Sequence, residues 1–178
     1  GTPLMHFIQK ACLDAKNIDE VYIYCSDAAI QEYVLPGVKY LNRPEYLDRD
    51  NINANDLIRE FMNSVEADIY VNAHTTSPFA KVKTIEECVD KVASGEYDSA
   101  FCAEVIRTFM WKDEKPLNFD PDHFPRTQDL PVIYGETSIA YVFTRDSFLK
   151  HNRRLGSHPF IKEVDKIEAM DIDYPEDF

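Results

Sequence analysis

Short apolar runs of strand length alternate along this chain with segments of helical period, and that alternation restricts the fold more than any other feature. Met5, Ile8, Ala11 and Cys12 recur at helical spacing within residues 4–15, and Val21-Tyr22-Ile23-Tyr24-Cys25 follows as a buried strand. Ser26-Asp27 closes that strand. Leu57, Ile58, Phe61 and Met62 mark one face of a later helix, and residues 67–73 form a second strand. Thr84 with Glu87 three residues on reads as a capping box opening a helix that Gly95 ends. Residues 99–105 and 138–143 supply two more strands, the last leading into a short helix over 146–151. The pattern predicts an α/β fold, a mostly parallel, mixed sheet flanked by helices.

With 178 residues, 44% hydrophobic and 29% charged, the chain is long enough for one well-packed core, and residues 1–178 are expected to form a single domain. A formal charge of -13 argues against a general binder of nucleic acid or anionic membrane, which would need a net basic face. An anionic small substrate is compatible with it, provided a few basic residues and a metal meet its charge locally. No apolar run approaches the roughly 20 residues that cross a bilayer, and the N-terminus lacks a basic-then-apolar secretion signal, so the sequence reads as cytoplasmic. Cys12, Cys25, Cys88 and Cys102 are widely spaced in apolar stretches, without a Cys-x-x-Cys or Cys/His cluster, and read as reduced core thiols.

Residues 107–131 break the pattern. The segment carries Phe109, Met110, Trp111, Phe119 and Phe124 without clean period. A loop of that length covers a site, packs on a partner or forms an arm of its own. It is read here as a dimerisation or lid arm, the other reading being that its aromatics fold back on their own core.

Ligands of open α/β sheets bind beyond the carboxyl ends of the strands. The polar residues there are Ser26-Asp27, His74-Thr75-Thr76-Ser77-Pro78, Arg126-Thr127-Gln128 and, on the last long strand, Tyr141. Near the C-terminus stands Asp171-Ile172-Asp173. In extended backbone residues i and i+2 point the same way, so both carboxylates can face one hard cation. Mg²⁺ carrying the phosphates of a nucleotide is the candidate, since it takes one or two carboxylates and fills its other positions with water and phosphate oxygen. Taken alone, the same triplet also reads as a solvated acidic tail.

Five segments in order resemble the acylneuraminate cytidylyltransferases. These are Gly1-Thr2-Pro3-Leu4; Leu41-Asn42-Arg43-Pro44-Glu45-Tyr46-Leu47 with Asp50; Thr76-Ser77-Pro78-Phe79; Arg126 with Gln128 through Pro131 and then Ile139-Ala140-Tyr141; and Asp171-Ile172-Asp173 with Glu176-Asp177-Phe178. The resemblance implies a nucleotide-diphospho-sugar transferase-like, Rossmann-type fold. It also implies attack by the anomeric hydroxyl of a nine-carbon 2-keto sugar acid on the α-phosphorus of CTP, with release of pyrophosphate. By similarity, Asp171 and Asp173 would hold Mg²⁺ and carry the catalysis. Arg43 and Asp50 would lie near the cytidine, and His74, Thr76, Ser77, Arg126, Gln128 and Tyr141 would line the sugar pocket. Arg126 would pair with the sugar carboxylate. A homodimer is expected.

The family begins with a strand and a glycine-containing loop whose arginine and lysine hold the triphosphate. This chain starts after both, so a piece of a longer protein is expected, with a sheet whose backbone edges are open. His74-Thr75 stands where the family commonly has Gln-Pro, which points to an acceptor other than N-acetylneuraminic acid, such as an eight-carbon keto acid or a diamino sugar. A non-catalytic, dimerising relative is the reading from a different class. A haloacid dehalogenase-type phosphatase also uses an Asp-x-Asp, but directly after its first strand, and here the motif is at the opposite end.

Overall fold

The computed structural model describes residues 1–177. Helix α1 (Met5–Asp14) turns Ile8, Ala11 and Cys12 inward, as their spacing predicts. Strand β1 (Val21–Cys25) pairs in parallel with β2 (Val38–Asn42), a five-residue strand that the sequence reading did not pick out. Helix α2 (Ala54–Ser64) is opened by Asn53, whose Oδ1 accepts from the amides of Asn55 and Asp56 at 2.9 and 3.2 Å, while Asp56 accepts from the Asn53 amide. That reciprocal box satisfies N–H groups that a helix start otherwise leaves unpaired.

After β3 (Ile69–Ala73), helix α3 (Val82–Ala93) corrects one expectation. Thr84 does not cap it; the helix starts earlier, Thr84 is buried inside its first turn, and no local side chain caps it. The amide of Lys81 instead donates to Oε1 of the buried Glu168 at 3.1 Å, a cap from 87 residues away. At the other end Gly95, with φ of 76°, stands just past the helix as predicted. Strand β4 (Ser99–Ile106) comes next, and then the arm. The arm folds as a hairpin of β5 (Trp111–Lys112) and β6 (Lys115–Pro116), turning at Asp113 and Glu114, both with positive φ as a type I′ turn requires.

Strand β7 (Ile133–Thr144) is twice as long as predicted, and α4 (Arg145–His151) follows directly, capped by Thr144. Strand β8 (Pro159–Val164) closes the sheet on the far side of β4. Its Lys162 and Glu163 dilute the apolar signal, which is why the sequence reading passed over it.

The main sheet has the order β3-β7-β4-β8. Strand β7 runs antiparallel to β3 and β4, and β4 runs parallel to β8, so three strands share a direction and β7 alone opposes them. The mixed α/β fold expected from the sequence is therefore the one observed. Tyr70 pairs with Phe143 and Val71 with Val142, and alternation sends the two pairs to opposite faces. On one face Val142, Ile139, Ala140 and Cys102 pack under Cys88, Val89 and Val92 of α3, beside the α1 cluster around Ile85. On the other, Tyr70 and Phe143 pack against Ile58 and Met62 of α2 and Phe148 of α4. All four cysteines are free, three of them buried.

Strands β1 and β3 do not pair. Each presents an open backbone edge to a groove of about 1010 Å³ lined by Val21–Cys25 and residues 69–73, with Ile8, Cys12, Ile58 and Phe61 beneath. Edge-on contacts of Phe61 with Tyr22, Tyr24 and Tyr70 at 5.6, 5.5 and 6.4 Å bridge the two sides. At its carboxyl-terminal end the groove is lined by Cys25, Arg43, Asn72, Ala73 and Thr75, where an open α/β sheet binds its ligands.

Candidate active site

Strand β3 delivers the loop of residues 74–77 to that end of the sheet. The amide of Ser77 donates to the His74 carbonyl at 3.3 Å, closing the loop into a turn, and Ser77 itself is 1% exposed. The Asp-x-Asp segment docks directly on it: the Ile172 amide donates to the Thr76 carbonyl at 2.8 Å. Beyond, the amides of Asp173 and Tyr174 donate to Oδ2 of Asp177 at 2.9 and 2.8 Å, so the acidic segment is a turn tied to the site, not a loose tail.

Asp171 Oδ1 is buried and has no hydrogen-bond partner. A buried carboxylate oxygen left in that state costs about 1–3 kcal/mol, more for a charged group, unless something positive completes it. Among the described residues no group of three or more His, Cys, Asp and Glu side chains is arranged for a metal. Asp171 and Asp173 are the carboxylates there that could hold a hard ion, which would keep most of its shell as water and phosphate oxygen.

His74 sits between opposite charges. Burial, and then the neighbouring Arg154 guanidinium, hold its imidazole below the usual histidine range, while Asp171 and Asp173 pull the other way. The result is a ring that is neutral at pH 7 and can either donate or accept a hydrogen bond. Its centroid lies 6.0 Å from that of Tyr141.

Tyr141 stands on β7 directly opposite Asn72 of β3 and is buried. Its hydroxyl donates to Glu136 Oε1 at 2.5 Å, and burial together with that carboxylate pushes its ionisation well above the ordinary range. Arg154, which the sequence reading passed over, lays its guanidinium over the Tyr141 ring at 3.3 Å from the centroid. Arg154 follows Asn152, whose left-handed backbone ends α4, and nothing in the local sequence marks it out; only folding brings β3, β7 and this loop together.

At the β1 side, the Arg43 amide donates to the Cys25 carbonyl and its Nη2 bonds Asp48 Oδ1 at 2.5 Å, while its Nε is buried without a partner. A hydrogen bond from Ser26 and then the Arg43 charge hold the Asp48 carboxyl below its usual range. Asp50, expected with Arg43 near the cytidine, is exposed two residues beyond Asp48 and makes no side-chain hydrogen bond or ion pair among the described residues. Asp48 is the residue the sequence reading missed.

Two expected sugar-pocket residues lie elsewhere. Arg126 bonds Asp129 through Nε at 2.7 Å and Nη2 at 3.2 Å and is largely exposed. Gln128 is exposed and contributes its carbonyl, which accepts from Arg107 Nη1 at 3.1 Å. Among the described residues neither makes a hydrogen bond or ion pair with His74, Tyr141 or the Asp171 segment. The structure therefore brings together His74, Thr76, Ser77, Tyr141, Asp171 and Asp173, with Arg43 at the groove, while Asp50, Arg126 and Gln128 have no hydrogen bond or ion pair to that cluster among the described residues.

This architecture is a fold shared with solved synthetases and synthases. It superposes on a CMP:2-keto-3-deoxy-manno-octonic acid synthetase solved with CTP, with a TM-score of 0.70 at 17% identity, covering 99% of this chain and 84% of that one. It also superposes on 4-diphosphocytidyl-2C-methyl-D-erythritol synthase from Anaerococcus prevotii, with a TM-score of 0.65 at 12% identity, covering 98% and 82%. The family model described as Cytidylyltransferase matches residues 1–178, and the chain belongs to that family. Among curated relatives, the N-acylneuraminate cytidylyltransferase of Oncorhynchus mykiss is 24% identical over 98% of this chain and 43% of its own length. That of Streptococcus agalactiae serotype III is 20% identical over the whole chain and 46% of its own length. The chain spans less than half the length of these relatives. Among the described residues, no helix is long and apolar enough to cross a membrane.

Proposed function

We propose that this protein transfers CMP from CTP to the anomeric hydroxyl of a sialic-acid-like nine-carbon 2-keto sugar acid, releasing pyrophosphate. The observation that carries this reading is the half-buried Asp171 carboxylate, whose Oδ1 is buried without a partner and which the Ile172–Thr76 bond fixes beside the loop expected to face the sugar. Asp171 and Asp173 are the residues that would hold Mg²⁺, which when bound neutralises phosphate charge and lowers the cost of bringing an alkoxide-like oxygen to phosphorus.

The chain's own groups do the rest. Arg43 offers a guanidinium whose Nε is still unpaired to the nucleotide at the groove end, and Asp48 fixes its orientation. Thr76 and the neutral His74 line the acceptor side. Ser77 is too deeply buried to reach far into solvent and serves to hold the loop closed. Positioning and charge neutralisation supply most of the acceleration in phosphoryl and nucleotidyl transfer, so no general base is needed in this scheme.

A second acceptor class is supported by particular observations. His74-Thr75 departs from the family's usual loop, and one solved structure of the same fold is a synthetase for an eight-carbon keto acid. The decisive experiment measures pyrophosphate release by the protein with Mg²⁺, CTP and a panel of eight- and nine-carbon keto-sugar acids and a diamino sugar acid, with Asp173→Ala alongside. Release with one nine-carbon acid, lost in the variant, supports the reading. Release with an eight-carbon acid alone moves the assignment to the second class, and no release with any acid supports the non-catalytic relative.

A further inference from the structure

We infer that Arg154 recognises the carboxylate of the acceptor acid. The inference rests on the acceptor being a sugar acid, as proposed above.

Four features carry it. The guanidinium is fixed in plane: it lies on the buried Tyr141 ring at 3.3 Å, and that ring is pinned by its own hydroxyl on Glu136. Its backbone is fixed too, since the Arg154 amide donates to Asn55 Oδ1 at 3.1 Å, tying the loop to the start of α2. A stacked, pre-oriented guanidinium loses little freedom when it binds a planar anion.

The charge is also underused. Of its five donors, one makes a hydrogen bond, from Nη1 to Asn72 Oδ1 at a long 3.3 Å. Its counter-ion is Glu136 Oε1 at 3.6 Å, the longest ion pair among the described residues, and that same oxygen already accepts the Tyr141 hydroxyl. The side chain keeps 20% of its surface exposed. A carboxylate offers two acceptors at the spacing of a guanidinium fork, which Lys cannot match.

Position gives the third argument. Arg154 lies on the Tyr141 ring, whose centroid is 6.0 Å from that of His74, so an acceptor held by Arg154 lies beside the loop of residues 74–77 on which the Asp171 segment docks. The fourth is the state of Arg126, the partner expected for the carboxylate, whose fork is occupied by Asp129 at 2.7 and 3.2 Å.

A phosphate oxygen of CTP offers the same chemistry, and the test separates the two. The acid that the wild type turns over best, and its neutral methyl ester, are assayed with wild type, Arg154→Gln and Arg154→Lys, varying acid and CTP in turn. Arg154→Gln is expected to raise KM for the acid about 10- to 100-fold, the range of one charged hydrogen-bonded pair. KM for CTP stays within about twofold, and the wild type's preference for acid over ester disappears. Arg154→Lys recovers part of the loss, and carries the same test if Arg154→Gln does not fold. A rise in KM for CTP instead, an unchanged KM for the acid, or full recovery with Lys overturns the assignment while leaving the cytidylyltransferase reading intact. No turnover of any acid by the wild type removes that reading, and this assignment with it.

Discussion

The amide of Ile172 donates to the carbonyl of Thr76 at 2.8 Å, and this bond locks the Asp-x-Asp turn to the loop that leaves β3. Replacing Ile172 with Pro removes the donor without touching either carboxylate. The variant is expected to lose about 1 kcal/mol of stability, the worth of one such bond, and a larger share of activity, because the carboxylates lose their register with the loop. Urea melts and pyrophosphate release on Ile172→Pro, with Ile172→Val as control, check this; normal activity in the Pro variant would show that the docking does not matter.

Asp171→Asn keeps the shape of the side chain and removes its charge. In metal-free buffer its melting temperature should match or exceed that of the wild type, since a buried oxygen without a partner ceases to be charged. With Mg²⁺ its activity should fall by at least about 100-fold, at or beyond the upper end of what losing a metal's outer-shell support costs. Calorimetric Mg²⁺ titration in the presence of CTP reads the binding separately. Undiminished Mg²⁺ binding by the variant would remove Asp171 from the metal's shell.

The loop that carries Arg154 is anchored by Asp98. Burial pushes this carboxyl up, but the amides of Ser157 and His158 and the Ser99 hydroxyl outweigh it and hold the group below its ordinary value of 3.8. A depressed folded value means the native state binds its proton less readily than the unfolded chain. The stability it contributes is therefore present above about pH 3.8 and lost as pH falls through the folded value. Asp98→Asn should be less stable than wild type at pH 7, and the difference should shrink on acidification below pH 4; a constant difference across pH 3–7 would contradict it. Gly156→Ala attacks the same anchor, because a Cβ there overlaps the Asp98 carboxylate, and should cost about 1–3 kcal/mol.

The arm presents an apolar face. Phe109 meets Phe119 and Phe124 edge to face at 4.8 and 5.1 Å, Phe119 and Phe124 are tilted at 5.2 Å, Trp111 packs edge-on against Phe119, and Asn118 closes the hairpin through the Met110 amide and the Thr108 carbonyl. Yet Trp111 remains 60% and Phe124 64% exposed. Exposed aromatics of that size mark a contact surface, and we propose that it joins two copies of the protein. Light scattering on Trp111→Asp is expected to give half the wild-type mass with an unchanged far-UV spectrum. A monomeric wild type, or an unchanged mass in the variant, would refute the dimer.

The parts of the fold legible in the sequence are those whose signal is local. α1, α2, β1, β3, β4 and α4 lie within a few residues of their predicted places because apolar spacing acts over single turns, as does the Gly95 stop after α3. β8 was not legible because it is stabilised by pairing with β4, not by its own composition. The capping box at Thr84 failed for a related reason. A distant carboxylate, Glu168, takes the Lys81 amide while Glu87 pairs with Lys162, and the helix starts a turn early.

The site divides along the same line. Residue type and spacing determined that two aspartates stand two residues apart near the C-terminus, that a Thr-Ser-Pro turn follows a strand, and that Tyr141 belongs to a buried one. Which of the many charged residues meets them was decided by tertiary structure. Arg126 is satisfied three residues away by Asp129, whereas Arg154 reaches Tyr141, Asn72 and Glu136 because β3 and β7 pair in a fixed register and Asn55 holds its loop. A guanidinium carries no mark in the sequence of the partner it will find. That partner is set by how elements far apart in the chain pack, the long-range information that local pattern lacks.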